Sequence, residues 1–302
     1  MRLSFFFGLA LALTACGDEN KRVNDAGKLW EEFSGETALR HVERMVELGP
    51  RPVGSEALER SRLYLIDALT SAGWTVTRQT FNESTPRGPM TFVNLIATFG
   101  KAKKEEPPSF LLCSHYDTKF FGTETFVGAN DGGSNTGLLV EMARVLATQA
   151  ALAARVQLVF FDGEEAFVAF TETDGFFGSR YFAQQLVAEG KAKQFHGGIL
   201  FDMVGDRNLT ITLPPDSPSH LAAGIFAAAE AQGVRHRFTY AAGNILDDHT
   251  QLNAIGIPVI DLIDFDYAPW HTPEDTMDKI SAASLETVGR VALRFLAEGA
   301  FK

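Results

Sequence analysis

Apolar residues along this chain fall into two kinds of segment. Short continuous runs at 110–113 (FLLC), 156–161 (VQLVFF), 198–204, 209–213 and 258–263 (PVIDLI) read as strands buried on both faces. Between them, segments 37–48, 56–72, 138–154, 177–189, 221–232 and 281–296 have helical apolar spacing. Leu58, Leu63, Leu65, Ile66 and Leu69 mark one such face, and Gly73 provides its stop. Residues 74–81 and 91–99 read as a pair of strands around the turn Pro86-Arg87-Gly88-Pro89. Residues 101–108 form a charged loop ending in proline. Buried strands alternating with helices imply an α/β fold with a mixed, mostly parallel sheet covered on both faces. No linker composition follows residue 30, so 31–302 is expected to be one domain.

The chain has 302 residues, 45% hydrophobic and 22% charged. That composition excludes a disordered chain, a collagen-like fibre and a polytopic membrane protein. The 27 Lys and Arg against 38 Asp and Glu leave a net charge of -11, which repels phosphate backbones and argues against a nucleic-acid partner. The 25 phenylalanines point to a large core and an apolar pocket. The N-terminus, MRLSFFFGLALALTACG, has a basic Arg2 and an apolar run over 5–13 too short to span a bilayer. Leu13-Thr14-Ala15-Cys16 then resembles a bacterial lipobox. The resemblance implies a signal peptide over 1–16 with lipidation at Cys16, a polar tether over 17–30, and an exported protein anchored to a membrane in the periplasm or at the cell surface. Cys113 is left as a free, buried thiol.

The polar clusters sit just after the apolar runs. His115-Tyr116-Asp117 follows 110–113, and Asp162-Gly163-Glu164-Glu165 follows 156–161. Asp202 lies within 198–204, and His271 lies shortly past 258–263. In such sheets, ligands bind beyond the carboxyl ends of the strands. Carboxylates gathered there repel one another unless a cation compensates, and mixed oxygen and nitrogen donors suit zinc. Glu164 and Glu165 alone would read as an acidic surface pair. Directly after a buried strand they divide into a metal ligand and a base facing the substrate.

Seven motifs occur in order: HYDTK from His115, GANDGGSNTG from Gly128, FFDGEEAF from Phe160, FGSRYF from Phe177, FDMVGD from Phe201, DDH from Asp247 and YAPWHTPEDTMDK from Tyr267. Together, from residue 37 to the C-terminus, they resemble the M28-type zinc aminopeptidases, and within them most closely the glutaminyl-peptide cyclotransferases. The resemblance implies a three-layer αβα sandwich and no cofactor beyond zinc. Asp131, Glu165 and His271 match the zinc ligands, and Glu164 matches the general acid/base. Asp202 and Asp247 match supporting carboxylates, and Trp270 matches an aromatic residue of the substrate pocket. The implied reaction closes the N-terminal Gln of a peptide to pyroglutamate and releases ammonia.

Two departures stand out. Cys113 lacks the partner cysteine of the animal cyclases, and Asp261 stands where they carry a histidine. The same scaffold implies an alternative, an aminopeptidase hydrolysing N-terminal residues, with a second metal on His115, Asp131 and Asp202. A second alternative is a lipoprotein that binds peptides without turnover. Peptide and protein N-termini are the expected partners, and the expected state is a monomer. Around the core set, Asp117 is expected to orient His115, and Asn130 and Ser134 to cap a helix starting near Asn135. His249 is expected to orient Asp247 or Asp248 or to cap a helix, while Glu172 and Asp174 read as solvated loop residues.

Overall fold

A computed structural model describes residues 28–100, 107–122 and 125–301. Cys16, the expected lipidation site, lies outside the described residues, as do residues 1–27 as a whole. Leu29 and Trp30 are buried against the body and Arg294 lies over the Trp30 ring, so these two belong to the folded domain rather than to a tether reaching residue 30.

Among the described residues the strands are β1 (Trp74–Thr85), β2 (Gly88–Phe99), β3 (Phe110–His115), β4 (Val156–Phe161), β5 (Gly197–Asp202), β6 (Ile211–Leu213), β7 (Phe238–Tyr240) and β8 (Val259–Ile263). They form one sheet in the order β1-β2-β4-β3-β5-β8-β6-β7. The centre, β4-β3-β5-β8, is parallel. The β1/β2 hairpin joins β4 antiparallel at one edge, and the parallel pair β6/β7 joins β8 antiparallel at the other.

Pleating divides the core in two. Phe110 and Leu112 of β3 join Leu158, Phe160, Ile199 and Phe201 beneath α1 (Gly35–Glu47), α2 (Glu56–Ser71), α3 (Asn135–Ala147), α5 (Ser219–Ala231) and α7 (Ala282–Glu298). Leu111 and Cys113 turn the other way, with Val159 and Phe161, against α4 (Phe177–Ala188) and α6 (His249–Ala254). This is the three-layer α/β sandwich expected from the sequence. Among the described residues Cys113 has no disulfide partner; it is fully buried, and burial pushes its thiol up, away from reactive thiolate.

Serine oxygens start three of the helices. Ser34, Ser55 and Ser281 accept N–H bonds from Thr37, Leu58 and Ser284, three residues on in each case. The hairpin runs further than its apolar residues suggest. Its ladder continues through polar Asn82, Glu83 and Ser84 to the Thr85–Gly88 pair, leaving a turn of Pro86 and Arg87. The helix expected over 138–154 breaks after Ala147, and Ala150–Ala153 forms a separate turn. The strand β7 and the helix α6 have three and six residues, too few to show a period.

Candidate metal centre and catalytic cleft

The carboxyl ends of the central strands deliver the titratable groups to one edge. His115 closes β3, Asp202 closes β5, Glu164 and Glu165 follow β4, and His271 follows β8. Asp131 comes from Ala129–Ser134, a segment that kinks out of helical geometry at Asp131, which has φ -78 and ψ 109. Gly132 has φ +77, and a Cβ there would strike the Asp117 carbonyl and crowd the His115 ring. Only glycine lets this loop turn Asp131 inward.

Two groups of donors share Asp131. His271 Nε2 lies 3.2 Å from Glu165 Oε2 and 3.4 Å from Asp131 Oδ2. His115 Nε2 lies 3.3 Å from Asp131 Oδ1 and 3.1 Å from Asp202 Oδ1. Donors held at zinc-ligand distances on a tetrahedron stand about 3.3 Å apart, so both groups have the spacing of a metal site. Among the described residues, Asp131 Oδ2 and Glu165 Oε1 are buried without a hydrogen-bond partner. Buried donors left in that way fit a cation, and the nitrogen and oxygen set suits zinc.

The electrostatics separate the two glutamates. Burial pushes the Glu164 carboxyl well up, with the charges of Glu165 and Asp247 adding to it, against the opposing pull of His115. Burial acts on Glu165 as well, but the hydrogen bond and charge of His271, with Lys119 beyond, hold it down to about 2. Lys119 Nζ reaches Glu165 Oε2 at 3.4 Å and donates to the Ala166 carbonyl at 3.0 Å. Burial and the Glu165 charge push Asp131 up to about 7, against the pull of His115. Adjacent residues thus present one ionised ligand and one proton-holding carboxyl.

The neighbouring residues do other jobs than their sequence positions suggest. Asp117 lies 3.5 Å from His115 Nδ1, but its oxygens accept the N–H groups of Glu164 and Glu165 at 3.2 and 3.3 Å. It holds the glutamate loop. Asn130 and Ser134 do not cap α3, which starts without a side-chain cap. Asn130 Oδ1 accepts from Gly205 N–H and Ser134 Oγ from Val204 N–H, binding this loop to the one after Asp202. Asp174 is buried rather than solvated, and accepts the N–H groups of Phe167, Val168 and Ala169. Glu172 is exposed as expected. Two residues escaped the sequence reading. The buried Arg51 donates to the carbonyls of Tyr116, Val127 and Gly128, and Asp275 accepts the N–H groups of Asn130 and Asp131. A lone Arg carries no sequence signal for such a role, and within YAPWHTPEDTMDK nothing sets Asp275 apart from its neighbours.

A cleft of about 240 Å³ opens over this edge, lined by Asp131, Glu164, Asp202, Asp247, Trp270 and His271 together with Phe170, Leu246 and Phe265. The Trp270 ring stacks on His271 at 4.3 Å and 25°, is 38% exposed, and packs near Phe265. Asp247, at the cleft wall, also groups with His249 and Asp261 behind it, all buried and with donor atoms within 4.8 Å of one another. His249 opens α6, with Nδ1 3.5 Å from Asp261 Oδ2, and burial lowers it to about 4, so it is neutral. Burial, reinforced by neighbouring aspartates, pushes the carboxyls of Asp247 and Asp261 well up. Every sequence-predicted site residue among the described residues falls in or directly behind this one cleft.

Comparison with known proteins agrees with the geometry. The model of peptidase family M28 matches residues 94–296. A glutaminyl-peptide cyclotransferase of Boiga dendrophila is 28% identical over 296 residues, covering 84% of this chain and 78% of its own. The crystal structure of an Acidobacteriales bacterium glutaminyl cyclase superposes with a TM-score of 0.80 at 31% identity, over 88% of this chain and 94% of that one. A Zn-dependent exopeptidase of Parabacteroides distasonis also superposes with a TM-score of 0.80, at 27% identity over 88% and 99% of the two chains.

Proposed function

The chain belongs to peptidase family M28, and from that premise we propose that it is a zinc-dependent glutaminyl-peptide cyclotransferase acting on peptide and protein N-termini. Asp131, Glu165 and His271 would hold one zinc ion. Bound there, zinc supplies a Lewis acid for the γ-carboxamide oxygen of an N-terminal Gln. Glu164, at the cleft wall, takes a proton from the α-amine as that nitrogen bonds to the γ-carbon. The same carboxyl returns the proton to the departing nitrogen as the C–N bond breaks, so ammonia leaves and the ring closes. Its raised proton affinity suits a carboxyl that must take up a proton and hand it on. Asp202 and Asp247 line the same cleft, and the Asp247 charge adds to the pull that keeps a proton on Glu164. Nucleophile and electrophile belong to one residue, so the cleft needs only to fold that side chain and exclude water.

The observation that carries this reading is Trp270 stacked on His271, which walls a cleft the size of one residue beside Glu164. The test is to give zinc-loaded protein Gln-initiated and Leu-initiated peptides and follow the products by mass spectrometry. Loss of ammonia from the Gln peptide alone supports the cyclase. Release of free Leu would replace it with an aminopeptidase, the reading favoured by the second donor group His115, Asp131 and Asp202. No turnover of either peptide would move the protein to peptide binding alone. We further propose that the enzyme acts as an exported monomer anchored through lipid on Cys16, on the strength of Leu13-Thr14-Ala15-Cys16. Cys16→Ala should then abolish incorporation of labelled fatty acid.

A further inference from the structure

Asp131 and His271 come from loops 140 residues apart, one before α3 and the other after β8, and the proposed metal needs both at a fixed spacing. One residue joins the two loops. Asp275 accepts the Asn130 N–H on Oδ1 at 2.8 Å and the Asp131 N–H on Oδ2 at 3.0 Å. Its backbone carbonyl accepts the Ala129 N–H at 3.3 Å. Three successive amides of the Asp131 loop therefore end on Asp275. Within its own loop, Asp275 Oδ1 accepts the Tyr267 hydroxyl at 2.7 Å, and its N–H donates to the Thr272 carbonyl at 3.1 Å. Tyr267 and Thr272 bracket His271.

His271 itself has φ +54, a left-handed backbone that is uncommon outside glycine. The turn around it is closed by Trp270 N–H to the Tyr267 carbonyl and by Thr272 N–H and Oγ1 to the Pro269 carbonyl. The far end of that turn is the Asp275 carboxylate. Asp275 is fully buried and has no ion-pair partner within contact distance among the described residues, so the amides and the Tyr267 hydroxyl are what hold it there.

We infer that Asp275 is a positioning residue that sets the spacing of Asp131 and His271 by fastening the His271 turn to the backbone of the Asp131 loop. The inference rests on the metal reading above only in what the spacing is for. The site would then be built before the metal arrives, with its histidine already turned inward.

Two measurements on the full chain test it. In the first, zinc affinity is read by competition with a chromophoric chelator, without reference to turnover. Asp275→Ala should weaken zinc binding by about 10- to 100-fold. Asp275→Asn, which keeps one acceptor oxygen, should fall between Asp275→Ala and wild type, and Tyr267→Phe should shift in the same direction by less. Wild-type zinc affinity in an Asp275→Asn protein that is folded by circular dichroism would overturn the inference. In the second, amide hydrogen exchange is followed in the metal-free protein. Asp275→Asn should speed exchange at 129–131 and at 267–272 together. Faster exchange at 129–131 alone would mean that the two loops are independent, and the inference would fall. If the wild-type protein took up no zinc, the metal reading would fail, and the exchange experiment would still decide the linkage.

Discussion

Asp202 Oδ1 lies 3.1 Å from His115 Nε2, on the side of Asp131 away from His271. This pair makes a second donor group that a cyclase with one zinc does not need. Burial works against a charge on His115, but bonds to Asp117, Asp131 and Asp202 more than reverse that, so the imidazole is held well toward its cationic form. A cationic His115 between two aspartates compensates their charge as a second metal would. The protein is therefore expected to bind one zinc per chain by elemental analysis, and His115→Ala to retain it. Two zinc ions in wild type and one in His115→Ala would instead match an aminopeptidase.

Glu164 and Glu165 are adjacent and both buried, yet their surroundings shift them in opposite directions, Glu164 up and Glu165 down. Glu164→Gln should lower kcat by 10²- to 10⁴-fold, the usual worth of a positioned proton carrier, with zinc content unchanged. Glu165→Gln should lose zinc. Metal analysis and turnover on the same preparations separate the two roles. Loss of zinc in Glu164→Gln would mean that they are reversed.

Trp270 covers His271 and one wall of the cleft. Removing the indole in Trp270→Ala should cost substrate binding about 1–1.5 kcal/mol. That is about a tenfold rise in KM for Gln peptides. With the metal and Glu164 untouched, kcat should stay within a few-fold of wild type. A fall in kcat at constant KM would instead place Trp270 in the chemistry.

Acid stability should depend on Glu59. It accepts both Arg78 nitrogens at 2.8 Å and Arg62 at 2.9 Å. The Arg78 hydrogen bonds, helped by Arg62 and opposed by partial burial, hold its carboxyl down to about 2 from an ordinary 4.5. A folded value below the unfolded one stabilises the fold above the ordinary carboxylate range, and that contribution is lost as pH falls toward the folded value. Glu59→Gln should therefore melt below wild type at pH 7. The gap should narrow as pH falls from about 4.5 toward 2 and close below that. The pair is partly exposed, so the gap should be small and should shrink further with salt. An equal gap at every pH would assign the effect to packing.

Metal removal should loosen one edge of the molecule and leave the sheet intact. The donors come from loops, while β3, β4, β5 and β8 are held by their ladders and by fully buried apolar side chains. Chelation is expected to speed hydrogen exchange around 129–134 and 267–272 only modestly, because Asp275 still fastens the two loops, with the central strands staying protected. Global unfolding on chelation would contradict this division.

The sequence by itself determined the α/β class, the strands of the parallel centre and the identity of the chemical groups. It could do so because strands buried on both faces need unbroken apolar runs, and polar residues placed just past such runs have nowhere to sit except the carboxyl edge of the sheet. That is why Glu164, Glu165, Asp202 and His271 were legible one by one. The tertiary structure alone decided how they divide: Asp131 shared between two histidines, Asp117 on the glutamate loop rather than on His115 alone, Asp174 buried, and Arg51 and Asp275 as hidden fasteners. Those roles are bonds from side chains to distant backbone, such as Asp275 to amides 144 and 145 residues earlier. A backbone N–H is the same at every position, so no local pattern of residues records which one a buried carboxylate will find.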